Sequence, residues 1–280
     1  MQIEAIQTFL VVVRLGSLSR AAEQLNVTQS TIAGRIDALE DHLRQRLVNR
    51  SKKGATPTAA GSVFLRHARQ IVENWQLSQQ KLILPHGLSM MFTFGCTFDL
   101  WTGLGERIYK LARGLDEGTA FQVQCGSMAA MTEALESGLA DAILVPGPLS
   151  RPNISCQHIY TDRLIQASST DRWAVKWDPG YIRISYDENF DAQHISHWPD
   201  DNIAHATIGH PDWGLRLLLQ QGGSAYLPER LVCEHFACGR LFPVRSSPVF
   251  ERPCYFAWRS ERLADFPWIP GLLHEAEGLL

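Results

Sequence analysis

Apolar residues recur at helical spacing from the first turn of the chain. Ile3, Ile6, Phe9, Leu10 and Val13 share one face, so residues 3–15 are predicted to form an amphipathic helix that Gly16 ends in the C′ position. Ser17 or Ser19 then caps a short helix over 20–25, Asn26 ends it, and Val27 supplies an apolar contact in the turn. Thr28 caps a third helix, whose apolar positions Ile32, Ile36, Leu39 and Leu43 form a single buried stripe. The period then breaks in RQRLVNRSKKGATPTAAG (44–61), where Gly54 and Pro57 mark a turn-rich hairpin. Thr58 caps a long helix over 59–84, which is apolar at Val63, Phe64, Ala68, Ile71, Val72, Trp75 and Leu82 and is ended by Pro85 and Gly87.

Beyond residue 90 short apolar runs alternate with helical patterns. MFTFGCT (91–97), AFQVQC (120–125) and DAILVPG (141–147) read as strands, with helices from Asp99 to about Ala112 and over 128–138. A second set follows: strands at 164–169, 181–186, 203–209 and 224–228, helices near 188–197 and 212–221, then a strand at 253–259 and a C-terminal helix. Such alternation predicts parallel sheet with crossover helices, an α/β body behind an all-α, winged N-terminal part.

Composition narrows the class. The chain has 280 residues, 45% hydrophobic and 20% charged, an ordinary globular balance that suits more than one domain. No apolar run approaches the length that spans a bilayer, and Glu4 without a basic n-region argues against a secretory signal, so the expected location is the cytoplasm. The six cysteines are scattered and form no CxxC, which fits reduced thiols. Net charge is −3 overall but uneven. Residues 1–86 hold 11 basic and 6 acidic side chains, a net of +5; the remainder holds 15 and 23, a net of −8. The basic N-terminal part is thereby a candidate for contact with a polyanion.

The second and third helices, joined at Asn26-Val27, form a helix-turn-helix. A helix that only filled a core would not need Thr28, Gln29, Ser30, Thr31 and Arg35 in its first two turns. On a recognition helix these residues face the major groove. Gln29 suits a bidentate pair with adenine, hydroxyls pair with bases or phosphate, and Arg35 suits phosphate or guanine. Arg44, Arg46, Arg50, Lys52 and Lys53 place cations on the hairpin, a wing for backbone phosphate.

Here a resemblance becomes specific. Phe9, Ser17, Ala21-Ala22, Leu25, Val27-Thr28-Gln29-Ser30, Ile36, Leu39-Glu40, Leu43, Leu47, Arg50 and Thr58 through Gly61 together resemble the DNA-binding domain of the LysR-type transcriptional regulators. The order of elements behind it extends the likeness along the chain. The sequence departs from that family at Ala33 and Gly34, where Ser then Arg is usual, at Arg44, where Gly is usual, and at Val48, where Phe is usual. The stretches FTFGCTFDLWTGL and YIRISYDENFDAQH also resemble a subgroup that includes a regulator of a flagellar master operon.

The resemblance implies a winged helix-turn-helix over 1–58, a linker and dimerisation helix over 59–88, and an effector-binding body over 89–280. That body resembles periplasmic binding proteins, with one lobe from about 89–161 and 247–280 and the other from about 162–246. It implies operator DNA as partner, a small-molecule effector, a homodimer or homotetramer, and RNA polymerase as a further candidate, with no cofactor, no metal and no enzyme activity. The alternative is a ligand-independent DNA binder whose α/β body serves only oligomerisation. The DNA-contacting set is Ser19, Thr28, Gln29, Ser30, Thr31, Arg35, Arg50, Lys52, Lys53 and Thr58. For the effector, loops beyond the carboxyl ends of the strands give Thr97, Phe98, Ser127, Pro146, Gly147, Gly209 and His210, where helix-start N–H groups suit a carboxylate.

Other signals carry less. The GxG of GLGERI (103–108) lies within a helical pattern, CEHFAC (233–238) has no CxxC half-site, His194 and His197 lack a third ligand, and Asp200-Asp201 reads as a solvated loop.

Overall fold

The computed structural model describes residues 2–51, 54–82, 84, 86–176, 178–198, 204 and 206–278. The wing-tip candidates Lys52 and Lys53 lie outside these residues, as do Pro85, the Asp200-Asp201 loop and the start of the strand expected at 203. The chain divides into two compact units, Met1–Leu84 and Pro85–Leu280.

In the first unit, helices α1 (Ile3–Leu15), α2 (Leu18–Gln24) and α3 (Gln29–Leu43) precede strands β1 (Val48–Ser51) and β2 (Gly54–Pro57) and helix α4 (Ala59–Leu82). The expected stripes meet in one core of Ile6, Phe9, Val12, Ala21, Ile32, Ile36 and Leu39, closed by Leu47, Val48 and Ala55 of the hairpin segment and by Ala68 and Val72 of α4. Ser17, not Ser19, caps α2, its hydroxyl accepting from the Arg20 N–H at 3.3 Å. The two strands pair antiparallel from Val48↔Pro57 to Ser51↔Gly54. Gly61 lets α4 start against this hairpin, since a Cβ there would lie 2.0 Å from the Leu47 carbonyl oxygen. The first half of α4 packs on α1, with the rings of Phe9 and Phe64 5.5 Å apart, while Val63 and Trp75 remain exposed.

The second unit runs β3 (Met90–Thr97), α5 (Phe98–Leu100), a widened turn (Trp101–Gly105), α6 (Glu106–Leu115), β4 (Thr119–Gly126), α7 (Met128–Ser137), β5 (Ala142–Val145), β6 (Ile154–Ser168), β7 (Tyr181–Ile184), α8 (Glu188–His197), β8 (Ala206–Ile208), α9 (Pro211–Gln221), β9 (Ser224–Pro228), α10 (Glu229–Ala237), β10 (Phe242–Pro243), β11 (Phe250–Arg259), a tight turn (Ser260–Ala264) and α11 (Ile269–Gly278). The sheet order is β4-β3-β5-β11-β6-β9-β7-β8, with β10 beside β6. β4, β3 and β5 are parallel at one end, and β9, β7 and β8 at the other. The long antiparallel pair β6/β11 carries the sheet from one lobe to the next. Strand β5 shows why its sequence is continuously apolar: Ala142 and Leu144 join the core beneath α6 and α11, while Ile143 and Val145 join the core beneath α7. Phe190 of α8, with Tyr181, Tyr226 and Phe250, forms a separate core in the second lobe.

Three expectations need correction. Strand β6 begins at Ile154, ten residues before the expected 164, because its half-polar first part shows no apolar run. β11 likewise begins at Phe250 rather than 253. The helix expected from Asp99 to Ala112 is broken: Thr102 has ψ 121° and Gly103 has φ 84°, which glycine adopts without a steric penalty. The GxG therefore lies in a kink, not within a helix.

Candidate functional site

The outer face of α3 is built by capping. The Thr28 hydroxyl accepts from the Thr31 N–H at 3.2 Å and lies 2.8 Å from the hydroxyls of Ser30 and Thr31. Gln29, Ser30 and Thr31 are exposed, whereas Ile32, Ile36 and Leu39 are buried. Ser19, from α2, donates to Gln29 Oε1 at 3.1 Å, so the two helices present one polar surface. Arg35 is half-buried and leans on α1, with its guanidinium 3.4 Å from Thr8 Oγ1. Thr58 has both hydroxyl functions engaged, donating to the Arg46 carbonyl at 2.6 Å and accepting from the Gly61 N–H at 2.9 Å. Arg50 is ion-paired with Asp37 at 2.6 Å.

A residue that sequence reasoning matched but gave no role is Glu40. It is buried on the inner side of α3. Its Oε1 accepts from the N–H groups of Leu47 and Val48 at 2.7 and 2.9 Å, and its Oε2 accepts from Arg46 at 2.8 Å. This carboxylate fastens the hairpin to the recognition helix. Polar contacts between α3 and the hairpin segment thus rest on Asp37 and Glu40, while the exposed turn of α3 is left to other partners.

In the second unit, the carboxyl ends of β3, β4 and β5 bring Thr97 and Ser127 to one edge together with Pro146 and Gly147; Thr97 is in register with Gly126. Thr97 is buried and its hydroxyl has no hydrogen-bond partner among the described residues. Ser127 is exposed and caps α7, accepting from the Ala130 N–H at 3.2 Å. From the other lobe Gly209 is exposed, and His210 caps α9 with its ring 6.4 Å from that of Phe98. The structure therefore brings Phe98 of one lobe and His210 of the other together.

Beneath them lies a charged junction the sequence did not reveal. Asp162 on β6 is opposite Arg252 on β11, beside a bulge between Cys254 and Tyr255. Arg252 is fully buried and ion-pairs with Asp99 at 2.9 Å and Asp187 at 2.8 Å. Arg230, from α10, lies 3.3 Å from Asp162 and donates to the carbonyls of Asp99, at 2.6 Å, and Thr102. Those carbonyls would accept within a continuous helix; here the kink frees them and Arg230 satisfies them. Burial pushes the Asp162 carboxyl up, and Arg230 and Arg252 oppose that shift. Burial also works against the Arg252 charge, yet Asp99 and Asp187 outweigh it and hold the guanidinium above its usual value. The pairs join residues more than 60 positions apart, which no local pattern encodes.

A basic helical unit with a polar, exposed third helix and a β-hairpin, followed by a two-lobed α/β body, has the architecture of a winged helix-turn-helix domain joined to a second domain. The model of the bacterial regulatory helix-turn-helix proteins of the lysR family matches residues 3–62. The HTH-type transcriptional regulator HdfR of Salmonella schwarzengrund is 25% identical over 264 residues, covering 92% of each chain. Among solved structures, that of CbnR, a LysR family transcriptional regulator, aligns with TM-score 0.73 at 16% identity, covering 99% of this chain and 98% of the other. Vibrio fischeri DarR, solved in complex with DNA, aligns with TM-score 0.61 at 22% identity, covering 100% and 99%. Residues 3–62 thus match the lysR-family helix-turn-helix domain, and the likeness to the regulator HdfR runs along 92% of the chain.

Proposed function

We propose that the protein binds operator DNA as a homo-oligomer, inserting α3 in the major groove, and that a small molecule between the lobes controls it. One observation carries the reading: the first turn of α3 exposes Gln29, Ser30 and Thr31 while its Ile32/Ile36 face is buried. Gln29 reads a base edge, with Ser30 and Thr31 beside it. Ser19, Thr28, Arg35, Arg50, Lys52, Lys53 and Thr58 hold or flank the phosphate backbone. The engaged hydroxyl of Thr58 favours an indirect role, through the start of α4. The DNA complex of DarR supports the same use of this fold.

Two copies paired along α4 set two recognition helices about one DNA turn apart, or a multiple of it, and so select a dyad. Dimer and tetramer both satisfy that geometry, and RNA polymerase is the partner an activator would meet. An effector touching Thr97, Phe98, Ser127, Pro146, Gly147, Gly209 and His210 changes lobe closure by binding one arrangement more tightly. We read the chain as non-catalytic and as working in the cytoplasm; no described helix is long and apolar enough to cross a membrane.

The test is to pass sheared genomic DNA over the purified protein and sequence what is retained. A few sites sharing a dyad are expected. The Gln29→Ala variant should lose about tenfold or more on those sites and little on random DNA, the worth of a bidentate base contact. Uniform recovery across the genome, or equal loss on both DNAs, overturns the base-reading role.

A further inference from the structure

The charges at the lobe junction limit what the cleft can take. Arg252 is held between Asp99 and Asp187, its guanidinium 4.7 Å from the centre of the Tyr186 ring. Arg230 is held by Asp162 and by the carbonyls of Asp99 and Thr102. Both guanidiniums are thus engaged by the chain's own acceptors. A carboxylate entering here would have to displace an aspartate and leave it buried without its cation, which is strongly unfavourable.

A fourth carboxylate stands in the same region. Asp212 Oδ2 accepts from the Thr102 hydroxyl at 2.9 Å and lies 3.3 Å from His210 Nδ1. Its other oxygen has no partner among the described residues. Arg216, one turn further along α9, is exposed and makes no ion pair among the described residues. Four carboxylates against two guanidiniums leave two negative charges in excess. Beside Asp212 runs a row of rings that crosses from lobe to lobe. Phe98 lies 6.4 Å from His210, and His210 stacks on Trp213 at 5.3 Å. Phe98 is 51% and Trp213 63% exposed, so each ring keeps apolar surface open to a ligand beside its contact with His210. Next to Phe98 is Thr97, whose hydroxyl is buried and unpartnered among the described residues.

We propose that the cleft is selective for a small organic cation, an amine carried on a flat apolar ring, with the ring against Phe98 and Trp213 and the ammonium at Asp212. This rests on the reading of the cleft as an effector site and names the class of effector it takes. An ammonium group beside aromatic faces gains from the ring quadrupoles, and the carboxylate supplies the opposite charge. Such a ligand touches Phe98 on one lobe and Asp212 and Trp213 on the other. The carboxylate it meets also accepts from Thr102 through Oδ2, and so couples occupancy to the kink between α5 and α6.

The experiment titrates the full-length chain with phenethylamine, phenylacetate and 2-phenylethanol, which share a ring and differ in charge. Melting temperature and tryptophan fluorescence are read, with Trp213→Phe identifying the Trp213 signal. Phenethylamine should bind in the millimolar range, as ligand size allows, and phenylacetate about tenfold more weakly or not at all. Asp212→Asn should weaken phenethylamine about tenfold and leave 2-phenylethanol unchanged. Phenylacetate binding as well as the amine, with a response lost in Phe98→Ala, overturns the charge assignment while the effector cleft stands. Amine binding that Asp212→Asn does not weaken also overturns it. Silence from all three ligands to about 10 mM overturns the assignment and the effector cleft together.

Discussion

Arg44 shows how a single residue departs from what its backbone asks. It is the C-cap of α3 with φ 53°, in the left-handed region where glycine is the usual occupant. The sequence marked the position as unusual for the family, and the dihedral gives the reason: a side chain there carries local strain. Arg44→Gly should raise the stability of the N-terminal unit by about 0.5–1 kcal/mol, the relief of strain less the added entropy of the unfolded chain. Thermal unfolding of that unit checks it, and an unchanged or lower melting temperature would show that the strain is relieved elsewhere. Thr28 was readable as a cap because capping needs only the next three residues, whereas the sequence left Ser17 and Ser19 both open and the structure takes Ser17. Thr58 was readable as a cap too, but not its bond to the Arg46 carbonyl, which arises only when the hairpin folds back.

Between α3 and the hairpin the decisive link is Glu40. Its carboxylate serves two backbone N–H groups and an arginine, so it holds β1 to α3 as a unit. Glu40→Ala leaves two buried N–H groups without an acceptor and should cost roughly 3 kcal/mol; Glu40→Gln, which keeps one acceptor, should cost about 1 kcal/mol. Both should weaken DNA binding to operator and random sequence alike, since the hairpin meets phosphate rather than bases. Filter binding beside thermal melts tests this, and wild-type stability in Glu40→Ala would remove the carboxylate from the account. Elements with a one-sided apolar stripe, α1 and α3, were legible in the sequence. The kink after α5 was not, because Arg230 from α10 supplies the donors that make it possible.

On the scale of the whole chain, the two units carry separate cores and differ in charge, which suggests separate responses to pH. In the second unit His194 is buried against Tyr181, whose hydroxyl lies 2.9 Å from Nε2. Burial, with Arg183 adding to it, pushes its pKa down from 6.5 to about 4. The unfolded chain therefore binds the proton more tightly. The stability contributed by neutral His194 is complete above about pH 6.5 and is lost as pH falls toward 4, on the order of 3 kcal/mol across that window. Chemical unfolding of the second unit between pH 4 and 7 should show this slope, and His194→Gln should flatten it; an equal slope in the variant would assign the effect to other groups.

The sequence by itself determined the order of elements, the helix-turn-helix with its polar reading turn, the basic-to-acidic split and the strand ends where a cleft would form. All of these follow from contacts within a few residues or from periodicity along one element. Tertiary structure decided what depends on distant partners: the full length of β6 and β11, the break at Thr102-Gly103, the role of Glu40, and the Asp99–Arg252–Asp187 and Asp162–Arg230 pairs between the lobes. A charge pair or a half-polar strand leaves no period in the sequence. Its energy comes from a neighbour that only the folded chain brings within reach.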